Sequence, residues 1–366
     1  MAGFRGLFAD LPDPRASNAR HDLVEVLFIA FAAVLCGADS CQDMADFAAV
    51  KQDALRRVLR LRHGAPSHDT FSRIFRLLDG EAFETAFRGF MAAFAAHLAP
   101  SGTPPVIALD GKSLSGAVES GARSTPLHLV TAWAADRRLV LAQRKAEDRS
   151  EVTAALELVA MLDLEGTVVT ADALHGSRRM AAAIRGRGGE YVLALKGNRG
   201  PLFREGRALL AASPPGAALA TEKPAHGRNE TRTACVLPVP ADWPERFKFE
   251  GLAAIARIDS TRRIGDKLEQ QTRHFVLSSV LPANDALRII RAHWSIENQQ
   301  HWLLDVVFNE DRARSRKDNA GQNLALLRRL ALNLLQTDAW TASIRRKVKR
   351  AGWDNAYLLS LLSQMR

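Results

Sequence analysis

The stretch that most constrains the fold runs from residue 106 to residue 211, where strand-like and helix-like segments follow one another in a fixed order. "VIALD" reads as a buried strand, and "LHLVTAWAA" and "LVLAQRKAE" are two more, joined through the polar "DRR" as a hairpin. "SEVTAALELVAMLDL" has the apolar spacing of an amphipathic helix opened by Ser150. "TVVTAD" is a strand, "SRRMAAAIRGR" a helix closed by Gly188 and Gly189, "YVLALK" a strand and "LFREGRALLAA" a helix. The succession predicts an α/β fold: a mixed sheet whose first three strands are antiparallel, with helices packed on both faces.

That is the ribonuclease-H-like order, and it has a chemical consequence. Asp110 ends the first strand and Asp172 the fourth, and in this topology those strands are neighbours with their ends on one edge of the sheet. Two carboxylates 62 residues apart in sequence are thereby expected side by side. Like charges that close need a counter-charge. A pair of Mg²⁺ ions, or Mn²⁺ in their place, supplies it, because hard cations take carboxylate oxygen. Two such ions suit in-line displacement at phosphorus. A third acid is needed, and "IIRAHWSIENQQHWLLDVVFNED" offers Glu297, Asp305, Glu310 and Asp311. Glu297 is the choice, since Arg291, His293 or Trp294, Glu297 and His301 recur at three or four residues and share one helix face. Taken alone, each acid reads more simply as a cap, a turn former or a solvated surface group.

Gly111-Lys112-Ser113 also invites a phosphate-loop reading. That pattern needs a glycine five residues before Gly111, where Val106 stands, so no nucleotide cofactor is expected. The 50 Lys and Arg against 40 Asp and Glu leave a net charge of +10, which favours an anionic partner, most often nucleic acid. A basic surface without a partner is the plainer alternative. Three cysteines, Cys36, Cys41 and Cys235, make no disulfide framework and have no zinc spacing, which points to a reducing cytoplasm. The longest apolar stretch, "LVEVLFIAFAAVLCGA", contains Glu25 and falls short of a membrane span, so a buried helix and no membrane partner are expected.

Around this core, residues 1–100 read as an all-helical DNA-binding or accessory domain and residues 101–213 as the first part of the catalytic core. Residues 214–283 read as a β-rich insertion, and residues 284–366 as the helical completion of the core, ending in a basic helix. Ser67 is placed to cap the helix of "SHDTFSRIF" through its hydroxyl. Arg56, Arg57, Arg60, Arg62, Arg73 and Arg76 form either a DNA-facing surface or an ordinary solvated face.

"ALDGKSLSGA", "TADALH", "EYVLALKGNR" and above all "HWSIENQQHWLLDVVFNED" resemble the H-repeat-associated, or ISAs-type, insertion-sequence transposases of the DDE superfamily, over nearly the whole chain. The resemblance implies a metal-binding catalytic triad of Asp110, Asp172 and Glu297. It implies DNA as partner, both terminal inverted repeats and target, with a homodimer or larger assembly forming on it. Lys112 is then a phosphate or DNA contact, and His175, Lys196, Asn198, Arg291, His293, Asn298 and His301 are candidates for DNA binding or site support. Where the wider superfamily carries Tyr, Arg and Lys around the glutamate, this chain has Ile290, His293 and Leu304. Gly176-Ser177 replaces an expected Thr-Gln pair, and Arg199 an expected Gln. The function implied is metal-dependent cleavage at element ends and strand transfer, with a non-catalytic DNA-binding regulator or a stand-alone nuclease as alternatives.

Overall fold

The computed structural model describes residues 2–96, 104–118, 126–147, 150–212, 220–222, 229–264 and 267–365. The helices α1 (Ala2–Leu7), α2 (Leu23–Leu35), α3 (Cys41–Val50), α4 (Gln52–Leu55), α5 (His68–Leu77) and α6 (Gly80–Ala96) come first. α2 is buried along its whole length, as expected of a helix that is apolar on every side. Its one acid is satisfied: the Glu25 carboxylate accepts the backbone amides of Arg60 at 2.8 Å and Leu61 at 3.3 Å. Ser40 and Asp43 form a reciprocal capping box on α3. Ser67, expected to cap α5, does not; its hydroxyl meets Thr70 Oγ1 at 3.3 Å. Ser150 likewise turns to Thr153 instead of the amides of its own helix.

The strands are β1 (Val106–Val118), β2 (Pro126–Ala134), β3 (Leu139–Lys145), β4 (Val168–Ala171), β5 (Glu190–Leu195), β6 (Ala220–Glu222), β7 (Asn229–Pro238), β8 (Ala254–Ile264) and β9 (Lys267–Leu277). Among the described residues they form one nine-stranded sheet in the order β3-β2-β1-β4-β5-β9-β8-β7-β6. β1, β4 and β5 are parallel, and the remaining pairs are antiparallel. The first five strands have the ribonuclease-H-like arrangement predicted from the element order.

Two features differ from expectation. β1 does not end at Asp110 but continues to Val118, paired with β2 as a long hairpin. Its second half, "GKSLSGAV", lacks the regular apolar alternation that marks a strand, which is why it reads as a loop. The strands of residues 214–283 also do not stand apart. β9 lies antiparallel on β5, from Val192 opposite Leu277 to Leu195 opposite His274, and covers what would otherwise be an open edge.

Side-chain alternation sorts the two faces. Ile107, Leu109, Val169 and Ala171 pack with α7 (Glu151–Met161), α8 (Arg178–Gly186), α9 (Gly200–Ala211) and the short α10 (Trp243–Arg246). Val106 and Val168 face α11 (Ala283–His293) on the other side. The period of two then carries Asp110 and Asp172 to the α11 face. Beyond α11 a π-helical turn, Ile296–His301, leads into α12 (Trp302–Val306), followed by α13 (Ala320–Thr337), α14 (Ile344–Trp353) and α15 (Asn355–Ser363).

α13 is the keystone between the two halves. The Asn333 side chain donates to Val140 O and accepts from Val140 N, both at 2.8 Å, and Asn323 donates to Phe75 O at 3.0 Å and Leu78 O at 2.9 Å. One apolar core therefore runs from Phe31 and Phe71 through Leu327 and Leu330 to Val140. Among the described residues no helix is long and apolar enough to cross a membrane.

Candidate active site

Asp110 is the first residue of β1 beyond its parallel ladder with β4, whose last pair is Leu109 and Ala171, and Asp172 follows β4 directly. Glu297 is the second residue of the π-helical turn. All three line one cleft of ≈ 420 Å³, whose wall also includes Lys196, Arg273 and Trp294. Burial, and then the neighbouring Glu297 and Asp172 carboxylates, push the Asp110 carboxyl up to about 7. Asp172 is fixed in a turn: its Oδ1 accepts the amides of Leu174 at 2.9 Å and His175 at 3.3 Å. Among the described residues no three His, Cys, Asp or Glu side chains are gathered closely enough to hold a metal ion as they stand. The acids instead face a common open space. Their donors are hard oxygens, and their mutual repulsion is what a divalent cation relieves, so the residues fit such an ion.

The straight helix expected to carry Arg291, His293, Glu297 and His301 on one face is interrupted. α11 ends at His293, and the wider π turn comes next, a feature frequent at functional sites. Arg291, on another face of α11, lies exposed and outside the cleft lining. His293 lines the cleft, with Nδ1 3.1 Å from Thr170 Oγ1, and burial holds its imidazole down to about 4. His301 Nδ1 stands 3.6 Å from Asp110 Oδ2, and burial together with Lys112 holds it down to about 3, so it is neutral there. Asn298 is exposed and donates to Trp294 O at 3.2 Å, within its own turn.

Lys112 departs most from expectation. It is only 8% exposed and is held by Asp305, with Glu310 at 3.8 Å and Asp311 at 4.0 Å. A buried ammonium so enclosed joins β1 to the "LDVVFNED" segment and is not free to meet a phosphate. Burial keeps Asp305 above the usual carboxylate range despite Lys112. Glu310 falls below that range although burial opposes it, because Arg329, Arg328 and Lys112 surround it. His175 is fully buried and bonded to Glu151, so it supports the loop behind the cleft. Asn198 donates to Ala173 O at 3.0 Å, and Arg199 donates to Gly176 O at 2.8 Å. Both brace the loop that carries Asp172, which gives Arg199 a local structural task. Lys196, exposed at the end of β5, does face the cleft.

Two groups escaped sequence reasoning. Arg273 of β9 lies 4.0 Å over the Trp294 ring and lines the cleft. No local signal marks it, because only the long-range pairing of β9 with β5 brings it there. Glu151 opens α7 as an unremarked first-turn acid, yet its two oxygens take hydrogen bonds from His128 Nε2 and His175 Nε2, each at 2.8 Å. Those two bonds hold its carboxyl down to about 2.

The model of the transposase DDE domain family matches residues 101–334, and that of the DDE_Tnp_1-associated family matches residues 6–91. The chain belongs to the DDE transposase family. It is 33% identical over 365 residues to "H repeat-associated putative transposase YhhI" of Escherichia coli strain K12, with 96% of each chain covered. YbfL of the same strain matches at the same identity and coverage. A solved piggyBac transposase synaptic complex with hairpin DNA aligns with 98% of this chain and 77% of that one, at 12% identity and a TM-score of 0.42. Of the three positions around Glu297 where polar or charged groups were expected, Ile290 and Leu304 are buried apolar residues and His293 is neutral. The cations that line the cleft are instead Lys196 and Arg273.

Proposed function

We propose that the protein is a metal-dependent DNA transposase that cleaves at the ends of its element and joins a freed 3′-hydroxyl to target DNA. One observation carries this reading: three carboxylates from β1, the end of β4 and the π turn line a single cleft, and Asp110 is pushed up by burial and by the other two. Asp110, Asp172 and Glu297 would hold two Mg²⁺, with Mn²⁺ as a substitute. Bound there, the ions supply charge neutralisation and Lewis acidity for in-line displacement at phosphorus. Lys196 and Arg273, which line the same cleft, would offer positive charge to the phosphate. His293 and His301, kept neutral by burial, add no charge to repel a cation. The net charge of +10 suits terminal repeats and target DNA as partners, with at least two copies of the chain on paired ends.

The test is a cleavage and strand-transfer assay on DNA carrying the element's own ends, with Mg²⁺. Wild type should release and join ends, while Asp172→Ala should bind them and do neither. Binding without cleavage by wild type would favour a regulator. Cutting that ignores the ends and yields no joined product would favour a nuclease.

A further inference from the structure

We propose that Glu151 is a positioning residue, which from the far face of the sheet sets the separation between the backbone carrying Asp110 and the loop carrying Asp172. The inference rests on the reading that these two acids bind a divalent cation. The parallel ladder of β1 and β4 stops at Leu109 and Ala171, so both acids lie past its last pair. Glu151 spans that gap from behind. Its Oε2 accepts from His128 Nε2 at 2.8 Å, and His128 sits on β2 opposite Ser113 of β1, with the Ser113 hydroxyl 2.8 Å from its Nδ1. Its Oε1 accepts from His175 Nε2 at 2.8 Å, and the His175 amide in turn donates to Asp172 Oδ1 at 3.3 Å. A carboxylate accepts only, so both imidazoles present Nε2–H to it, and His128 Nδ1 is left to accept from Ser113.

Gly111, next to Asp110, makes the arrangement possible. A Cβ there would stand 2.5 Å from Glu151 Oε1 and 2.6 Å from His128 Nε2. The bare glycine lets the carboxylate lie directly over β1 and reach both histidines. Outer groups that orient metal ligands commonly alter affinity by about 10- to 100-fold when removed.

The experiment titrates Mn²⁺ into metal-free, full-length protein and tracks deuterium exchange of the amides of residues 174–176 in the metal-free state. Glu151→Ala and Gly111→Ala should each weaken Mn²⁺ binding about tenfold or more and speed that exchange. Glu151→Gln, which keeps an acceptor for one imidazole, should lose less. The Gly111→Ala, Glu151→Ala double variant should lose less than the sum of the two single losses, because the clash of the methyl with the carboxylate is gone and only that with the released His128 ring remains. A folded Glu151→Ala that binds Mn²⁺ within twofold of wild type overturns the proposal, as does additivity in the double variant. If Glu151→Ala does not fold, Gly111→Ala and Glu151→Gln decide by the same criteria. Wild type without Mn²⁺ affinity, or Asp172→Asn that binds as well as wild type, sinks the metal reading instead. The exchange of residues 174–176 then decides the clamp alone.

Discussion

Asp110 carries the clearest signature at the scale of single residues. Its carboxyl is raised from 3.8 to about 7, so between those values the folded protein holds a proton that the unfolded chain has released. Stability from this group therefore falls as pH rises through that window and is lowest above it. In EDTA at pH 8, Asp110→Asn should be more stable than wild type, by on the order of 4 kcal/mol at most, with the gap closing near pH 4. Added Mg²⁺ should stabilise wild type and not the variant. An unchanged gap across the titration would remove the repulsion inferred from the cleft. Lys112 makes the opposite kind of prediction. Lys112→Met strands Asp305 and removes positive charge from beside Glu310 and Asp311, and should cost about 3 kcal/mol in urea denaturation. A residue whose task was to hold phosphate would instead leave stability intact and weaken DNA binding. Asp110 and Asp172 were legible because each ends or succeeds an apolar strand segment. The role of Lys112 was not, since its partners lie more than 190 residues away in sequence.

Among the elements, the π-helical turn is the one that sequence periodicity could not reveal. Spacing of three and four residues in "RAHWSIENQQHW" suggests a continuous helix, and a π turn leaves no composition of its own. The turn carries Glu297 into the cleft, which α11 lines through Ile290 and His293. Deleting Gln299, which would let the segment wind as an ordinary α-helix with α11 and α12 kept in phase, should preserve helical circular dichroism and reduce cleavage about 100-fold, because rewinding the turn re-aims Glu297 within it. Retained cleavage would show that the turn is incidental. The element order of the first five strands was legible, whereas the continuation of the sheet through β9 to β6 and the length of β1 were not. Glycines and serines in its second half hide a strand that only the β2 hairpin holds extended.

At the scale of the molecule, the helical N-terminus and the sheet share one core through α13. A truncated chain of residues 101–366 would expose the face of α13 that Asn323 and Leu327 present to the N-terminal helices. It should be recovered as aggregate or as a species that binds hydrophobic dye, as size-exclusion and fluorescence measurements would show. A monodisperse, cooperatively melting fragment would refute the shared core. Helical periodicity marked the N-terminal helices, but the polar ties of Asn323 and Asn333 to Leu78 and Val140 have no signature in a chain read linearly. The joint also acts as a ruler. On the proposed function, with the N-terminal helices as the part that grips duplex, the gripped stretch would stand at a distance from the cut point fixed by packed side chains and not by a tether. Five extra base pairs inserted into that interval turn the two points to opposite sides of the double helix, and ten restore the phase but not the reach. An enzyme with its reader on a slack leash would forgive both insertions, and this one should forgive neither.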